Sequence, residues 1–120
     1  MGRPVVHFEF WSQDPAKVST FYEKTFGWNI QLIPQMDYRL VDTGGEGGIN
    51  GGIMKPREGP WPGNLAFYID VDDVEAYVKK IRDAGGKILV EKQEVPGVGT
   101  FALFSDPDGR VLGVWKKSQA

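Results

Sequence analysis

His7 is the only histidine in this chain of 120 residues, and the sequence contains no cysteine. Imidazole is the side chain whose ordinary pKa suits acid–base work near neutral pH, so proton-transfer chemistry converges on one residue. Disulfides, thiolate metal sites and thiol nucleophiles are excluded. His7 lies in the run from Val5 to Trp11. Strand alternation puts His7, Glu9 and Trp11 on one face and Val6, Phe8 and Phe10 on the other. A second run, Leu65 to Val71, alternates in the same way. Leu65, Phe67, Ile69 and Val71 share one face, while Ala66, Tyr68 and Asp70 share the other. A carboxylate beside His7 would fix its tautomer and raise its pKa, making an acid–base pair with Glu9 or Asp70. The plainer reading makes His7 a hydrogen-bonded structural residue and the two acids solvated rim charges.

The elements that must position these residues repeat. His7 to Gly27 and Ala66 to Gly86 share one grammar of strand, capped helix and glycine stop. In the first copy Asp14-Pro15 opens a helix, Val18, Phe21, Tyr22 and Phe26 form its apolar face, and Gly27 ends it. Trp28–Ile33, Asp37–Asp42 and Ile49–Met54 read as three strands of a meander. The glycines from Gly44 to Gly48 invite a phosphate-binding reading, but a strand follows them where a helix N-terminus is needed. They read as a hairpin loop. In the second copy Asp72 with Glu75 looks like a capping box, and Val74, Tyr77, Val78 and Ile81 make the helix stripe before Gly85-Gly86. Lys87–Glu91, Gly99–Phe104 and Val111–Lys116 complete the copy, with a tight turn at Asp106-Pro107-Asp108-Gly109. The fold class is therefore α+β: a single domain over 1–120, with βαβββ modules at about 5–55 and 64–117. The proline-rich linker between them, about 55–63, carries Trp61, which reads equally as a lid or as a loop anchor.

Each helix buries its stripe on one sheet face, so Val6, Phe8, Phe10, Leu65, Phe67 and Ile69 take the helices. The opposite face carries Trp11, Met54, Tyr68 and Trp115 among its polar groups. That much apolar surface favours a curved sheet closing into a small-molecule cleft over a solvated face. Composition bounds the partners. With 14 basic and 16 acidic residues, net charge −2 and no basic run, nucleic acid is not expected. No apolar stretch reaches membrane length, and the N-terminus lacks the apolar stretch of a signal peptide, so a cytoplasmic location is expected.

The paired modules, the N-terminal strand with its histidine, FYEKTFGW, VDDVEAYVKKIRDAGG and the closing DPDGRVLGVW together resemble the vicinal oxygen chelate superfamily. This is the group of glyoxalase I, bleomycin-resistance proteins and extradiol dioxygenases. The resemblance covers nearly the whole chain. It implies an incomplete barrel around a cleft and, commonly, a homodimer, which would also cover open sheet edges. Metal-dependent members take ligands from the first and last strand of each module. Those positions fall at His7, Gly52, Ala66 and Gly113, and three of these have no donor atom. One histidine does not supply the three or four ligands a zinc or nickel site needs. No metal and no cofactor are therefore expected. The first reading is metal-independent binding of a small, partly apolar molecule in a pocket of His7, Glu9, Trp11, Gly52, Met54, Ala66, Tyr68, Asp70, Gly113 and Trp115. The alternative is a lyase- or isomerase-type enzyme using His7 with Glu9 or Asp70, and the third is an enzyme recruiting a metal through other residues.

Overall fold

The computed structural model describes residues 2–56 and 65–118. Trp61 and most of the linker lie outside the described residues. The elements run β1 (Val5–Trp11), α1 (Pro15–Phe26), β2 (Asn29–Ile33), β3 (Tyr38–Asp42), β4 (Gly51–Met54), β5 (Leu65–Asp70), α2 (Val74–Asp83), β6 (Lys87–Val95), β7 (Gly99–Ser105) and β8 (Val111–Lys117). This is the α+β order expected from the sequence, βαβββ twice. The chain divides into two compact units, His7–Leu65 and Met1–Val6 with Ala66–Ala120.

In the unit His7–Leu65 the strand order is β2-β3-β4-β1, antiparallel except that β4 runs parallel to β1. Asp14 caps α1 by accepting from Lys17 N at 3.2 Å, Pro15 opens it, and Gly27 ends it with a left-handed φ of 72°. The buried stripe of α1 differs from the expected one. At about 100° per residue, Pro15, Val18, Ser19 and Tyr22 share one arc, and Ser19 is the residue α1 buries. Phe21 lies off that arc and stays 56% exposed, while Phe26, at the helix end, stays 61% exposed. Both edge an aromatic cluster centred on Tyr22 and Trp28. Tyr22 stacks on Trp28 at 4.8 Å and meets Phe10 at 5.2 Å, and Phe8 lies 5.8 Å from Trp28.

In the other unit the order is β5-β8-β7-β6, with β5 and β8 parallel and the remainder antiparallel. Val71, Val74, Val78, Ala102 and Val114 form its core, with Ile69, Tyr77 and Ile81 against it, so the second stripe is as expected. The helix cap falls one residue later than the sequence suggests. Asp73 accepts from Ala76 N at 3.1 Å, which moves Glu75 out of the capping-box position. Glu75 instead pairs with Lys92 of β6 at 2.9 Å. Strand β6 also runs beyond Glu91 to Val95. Backbone pairing of Gln93, Glu94 and Val95 with Phe101, Thr100 and Gly99 carries it through a polar stretch with no apolar alternation. Helix α2 lies over β6, β7 and β8, and Phe67 on β5 is left 42% exposed rather than covered. Val6 is exposed to the same degree, 42%. No helix among the described residues is long and apolar enough to cross a membrane.

Leu103 on β7 is fully buried. Leu103→Ala should cost about 2–5 kcal/mol of unfolding free energy, read as a lower urea midpoint at unchanged slope. A loss below about 1 kcal/mol would mean that this face of β7 is not packed.

Candidate functional site

Strand β1 presents His7, Glu9 and Trp11 on one face, as alternation requires. Register then carries that face across the unit: Glu9 pairs with Gly52, Gly52 with Leu40, and Leu40 with Gln31. Tyr38 begins β3 two residues before Leu40 and shares its side. A tight turn launches it, with Met36 N donating to Ile33 O at 3.1 Å and Asp37 at a left-handed φ of 49°, a conformation aspartate tolerates. The Tyr38 ring lies over Gly52. A Cβ added to Gly52 would sit 2.0 Å from the phenol oxygen, so only glycine leaves room for the ring.

The carboxylate of Glu9 is 3% exposed, and each of its oxygens accepts a hydrogen bond. Tyr38 Oη–H donates to Oε1 at 2.9 Å, and Trp11 Nε1–H donates to Oε2 at 2.5 Å. A buried carboxyl group needs such donors to offset lost hydration. His7 Nε2 lies 2.8 Å from the same phenol oxygen. With Glu9 ionised, Tyr38 gives its single hydroxyl proton to Glu9, and the Nε2–H tautomer of His7 completes the chain. Burial pushes the His7 pKa down from 6.5 to about 4. The expectation that a carboxylate would raise it is therefore corrected. Glu9 reaches His7 through the phenol, and desolvation of the imidazolium prevails.

Beside this network lies a cavity of about 370 Å³, lined by His7, Asn29, Gln31, Leu40, Asp42 and Asn50, with Val41 and Gly51. Asn50 Oδ1 accepts from Thr43 N at 2.9 Å, which orients its amide. Asp42 Oδ1 accepts from Gly44 N at 2.8 Å. Of the residues expected at a pocket, His7 lines this cavity. Glu9 and Trp11 are buried beneath it as support, Gly52 is covered by Tyr38, and Met54 is half-buried opposite Tyr38 in the register.

The remaining expected residues belong to the other unit. Ala66 is fully buried. Tyr68, 6% exposed, lies over Gly113, where a Cβ would come within 2.5 Å of its ring, and meets Phe101 edge-on at 6.5 Å. Asp70 N donates to Pro4 O at 2.9 Å, and its carbonyl accepts from Arg3 Nε at 3.1 Å. Trp115 packs over Gly99. None of these five lines the cavity of about 570 Å³ in that unit, whose wall is charged and includes Asp72, Glu75, Lys92, Lys116 and Lys117.

The four positions corresponding to metal ligands do not fit a divalent ion. Gly52 and Gly113 lack donors, and their side-chain space is filled by Tyr38 and Tyr68. Ala66 offers a methyl group. Among the described residues no group of three or more His, Cys, Asp or Glu side chains is placed to hold a metal. Reading the sequence alone missed Tyr38, Asn29, Gln31, Leu40, Asp42 and Asn50. The alternation of Tyr38, Leu40 and Asp42 was available in the sequence, but their register against Glu9 was not.

A model of the Glyoxalase/Bleomycin resistance protein/Dioxygenase superfamily matches residues 5–114. The chain is 32% identical over 111 residues to the Mycobacterium tuberculosis protein named "Putative glyoxylase CFP32", covering 90% of this chain and 42% of that one. It is 29% identical over 126 residues to the anthracycline biosynthesis protein DnrV of Streptomyces peucetius, covering 92% of this chain and 46% of the relative. The chain thus spans about half the length of these curated relatives. Among solved structures, a Streptomyces coelicolor methylmalonyl-CoA epimerase in complex with 2-nitronate-propionyl-CoA superposes with a TM-score of 0.68 at 18% identity, covering 100% of this chain and 98% of that one.

A neutral, buried His7 makes stability depend on pH. The unfolded chain takes up the imidazole proton as pH falls through 6.5, and the folded chain only near 4. Between those values the unfolded state binds the extra proton, so this contribution is fully present above 6.5 and is lost as pH falls toward 4. Its ceiling is about 3 kcal/mol. Urea unfolding of the wild type and His7→Gln across that window should show the difference between them changing with pH, with the wild type losing more stability on acidification. Parallel curves would mean that His7 is not held neutral by burial.

Proposed function

This chain belongs to the glyoxalase/bleomycin resistance protein/dioxygenase superfamily, and we propose that it binds a small organic molecule in the cavity beside His7 without a resident metal. The observation that carries this reading is the Glu9–Tyr38–His7 network. A carboxylate buried beneath a cavity wall, with both oxygens bonded and the imidazole tautomer set, is a costly arrangement for surface polarity alone. It delivers one oriented imidazole to the rim of a cavity of about 370 Å³, within the size range of small-molecule sites. Relatives named "Putative glyoxylase CFP32" and an anthracycline biosynthesis protein support a small organic ligand and leave its identity open.

A second reading, acid–base catalysis of lyase or isomerase type, is favoured by the same chain of bonds. A neutral imidazole accepts a proton, and Glu9, acting through Tyr38, stabilises the imidazolium that results. Glu9 is the better candidate partner here, since it shares His7's unit and reaches it through one hydroxyl.

Native mass spectrometry identifies any co-purifying molecule, and His7→Ala then separates the readings. A binder should lose about 0.5–1.5 kcal/mol of affinity for that molecule with its turnover absent in both proteins. An enzyme should lose turnover by about 10²–10⁴-fold while binding persists. Equal affinity in wild type and variant would remove His7 from the site. The same reading takes the chain as a homodimer, supported by relatives that carry about twice its length. Sedimentation equilibrium should give about twice the 13.4 kDa of the chain, and a single 13.4 kDa species at micromolar concentration would overturn it.

A further inference from the structure

The cavity beside His7 has an unusual charge inventory for its size. Among the described residues, its lining includes one carboxylate, Asp42, and one imidazole, His7, with no lysine or arginine. Arg39 is the nearest basic residue in sequence. It pairs with Ile53 in the register, in the strand phase opposite to Leu40, so its side chain leaves from the other face. Asn29, Gln31 and Asn50 contribute carboxamides, each able to donate and to accept. Leu40, 46% exposed, supplies an apolar floor.

We propose that this cavity takes a hydroxylated ring compound that is uncharged or bears an amine, and that it discriminates against anions. The inference rests on the cavity being the binding site and deepens that reading by naming the ligand's chemistry. A hydroxyl group is both donor and acceptor, which is the complement a carboxamide offers. Several hydroxyls on one ring can therefore satisfy several amides together, while the ring's C–H face lies on Leu40. An ammonium group on such a ring finds Asp42, whose Oδ1 is already oriented by Gly44 N. A phosphate or carboxylate would lose hydration with no cation among the described lining residues to replace it, and would meet Asp42 as a like charge.

His7, as the only histidine, gives imidazole resonances that need no assignment among copies. Labelled full-length protein is titrated at neutral pH and constant ionic strength with methyl glucoside, glucosamine and glucose 6-phosphate, which share a ring and differ in charge. Saturable shifts of the His7 signals are expected with the glucoside and with glucosamine, and none with the phosphate ester. Gln31→Ala, on an exposed side chain, should weaken both by about two- to tenfold. Asp42→Asn should weaken glucosamine alone. If the phosphate ester moves His7 as readily as the neutral ring, the charge discrimination is wrong while the cavity stands as a binding site. If no probe moves His7, the ligand class is wrong. The molecule found by native mass spectrometry then decides the underlying reading, which fails if that molecule leaves the His7 signals unmoved.

Discussion

A carboxylate at Glu9, 3% exposed, is the constraint on which the first module depends. An acid in that position is tolerated only if hydrogen-bond donors replace the water it lost. Two side chains answer: Trp11 from the same strand, and Tyr38 from a strand two places across the sheet. The rest follows from where Tyr38 must lie. Its ring needs the space above Gly52, its hydroxyl proton is committed to Glu9, and its oxygen is left to accept from His7. A buried carboxyl group, a glycine and an imidazole are thus one interdependent arrangement, which makes additive single-site effects a poor expectation there.

The two modules share a scaffold and diverge in what they place on it. In each, the last strand carries a glycine overlaid by a tyrosine: Tyr38 over Gly52, and Tyr68 over Gly113. Around the first the neighbours are polar, and a hydrogen-bonded chain forms. Around the second the ring meets Phe101 edge-on. At the positions corresponding to the superfamily's metal ligands, aromatic rings fill the side-chain space of Gly52 and Gly113, and His7 is the one side-chain donor left.

Electrostatics in the two units differ in kind. Desolvation governs His7 and lowers its pKa to about 4, so its protonation reports burial. The pairs Lys79–Asp83 and Lys92–Glu75 in the other unit are exposed, and ion pairs of that sort contribute little. Stability in that unit rests on the apolar contact of Val74 and Val78 with Ala102 and Val114.

The sequence by itself determined the βαβββ repeat, the span of β1, the Asp14-Pro15 start and Gly27 stop of α1, the apolar stripe of α2 and the shared face of His7, Glu9 and Trp11. These follow from periodicity and capping, which act between residues close in the chain. Where local signals compete, they misled. Asp72 with Glu75 read as a capping box although Asp73 is the cap, and the hydrophobic spacing of Phe21 and Phe26 gave no hint that Ser19 would face inward. Only the tertiary structure decided that Tyr38 bridges Glu9 and His7 and that Asn29, Gln31 and Asn50 meet beside them. Those contacts join residues about thirty positions apart, as the separations of 29 and 31 for Tyr38 record. Strand register sets them, and a slip of one residue would turn every one of those side chains to the other face without altering any local pattern.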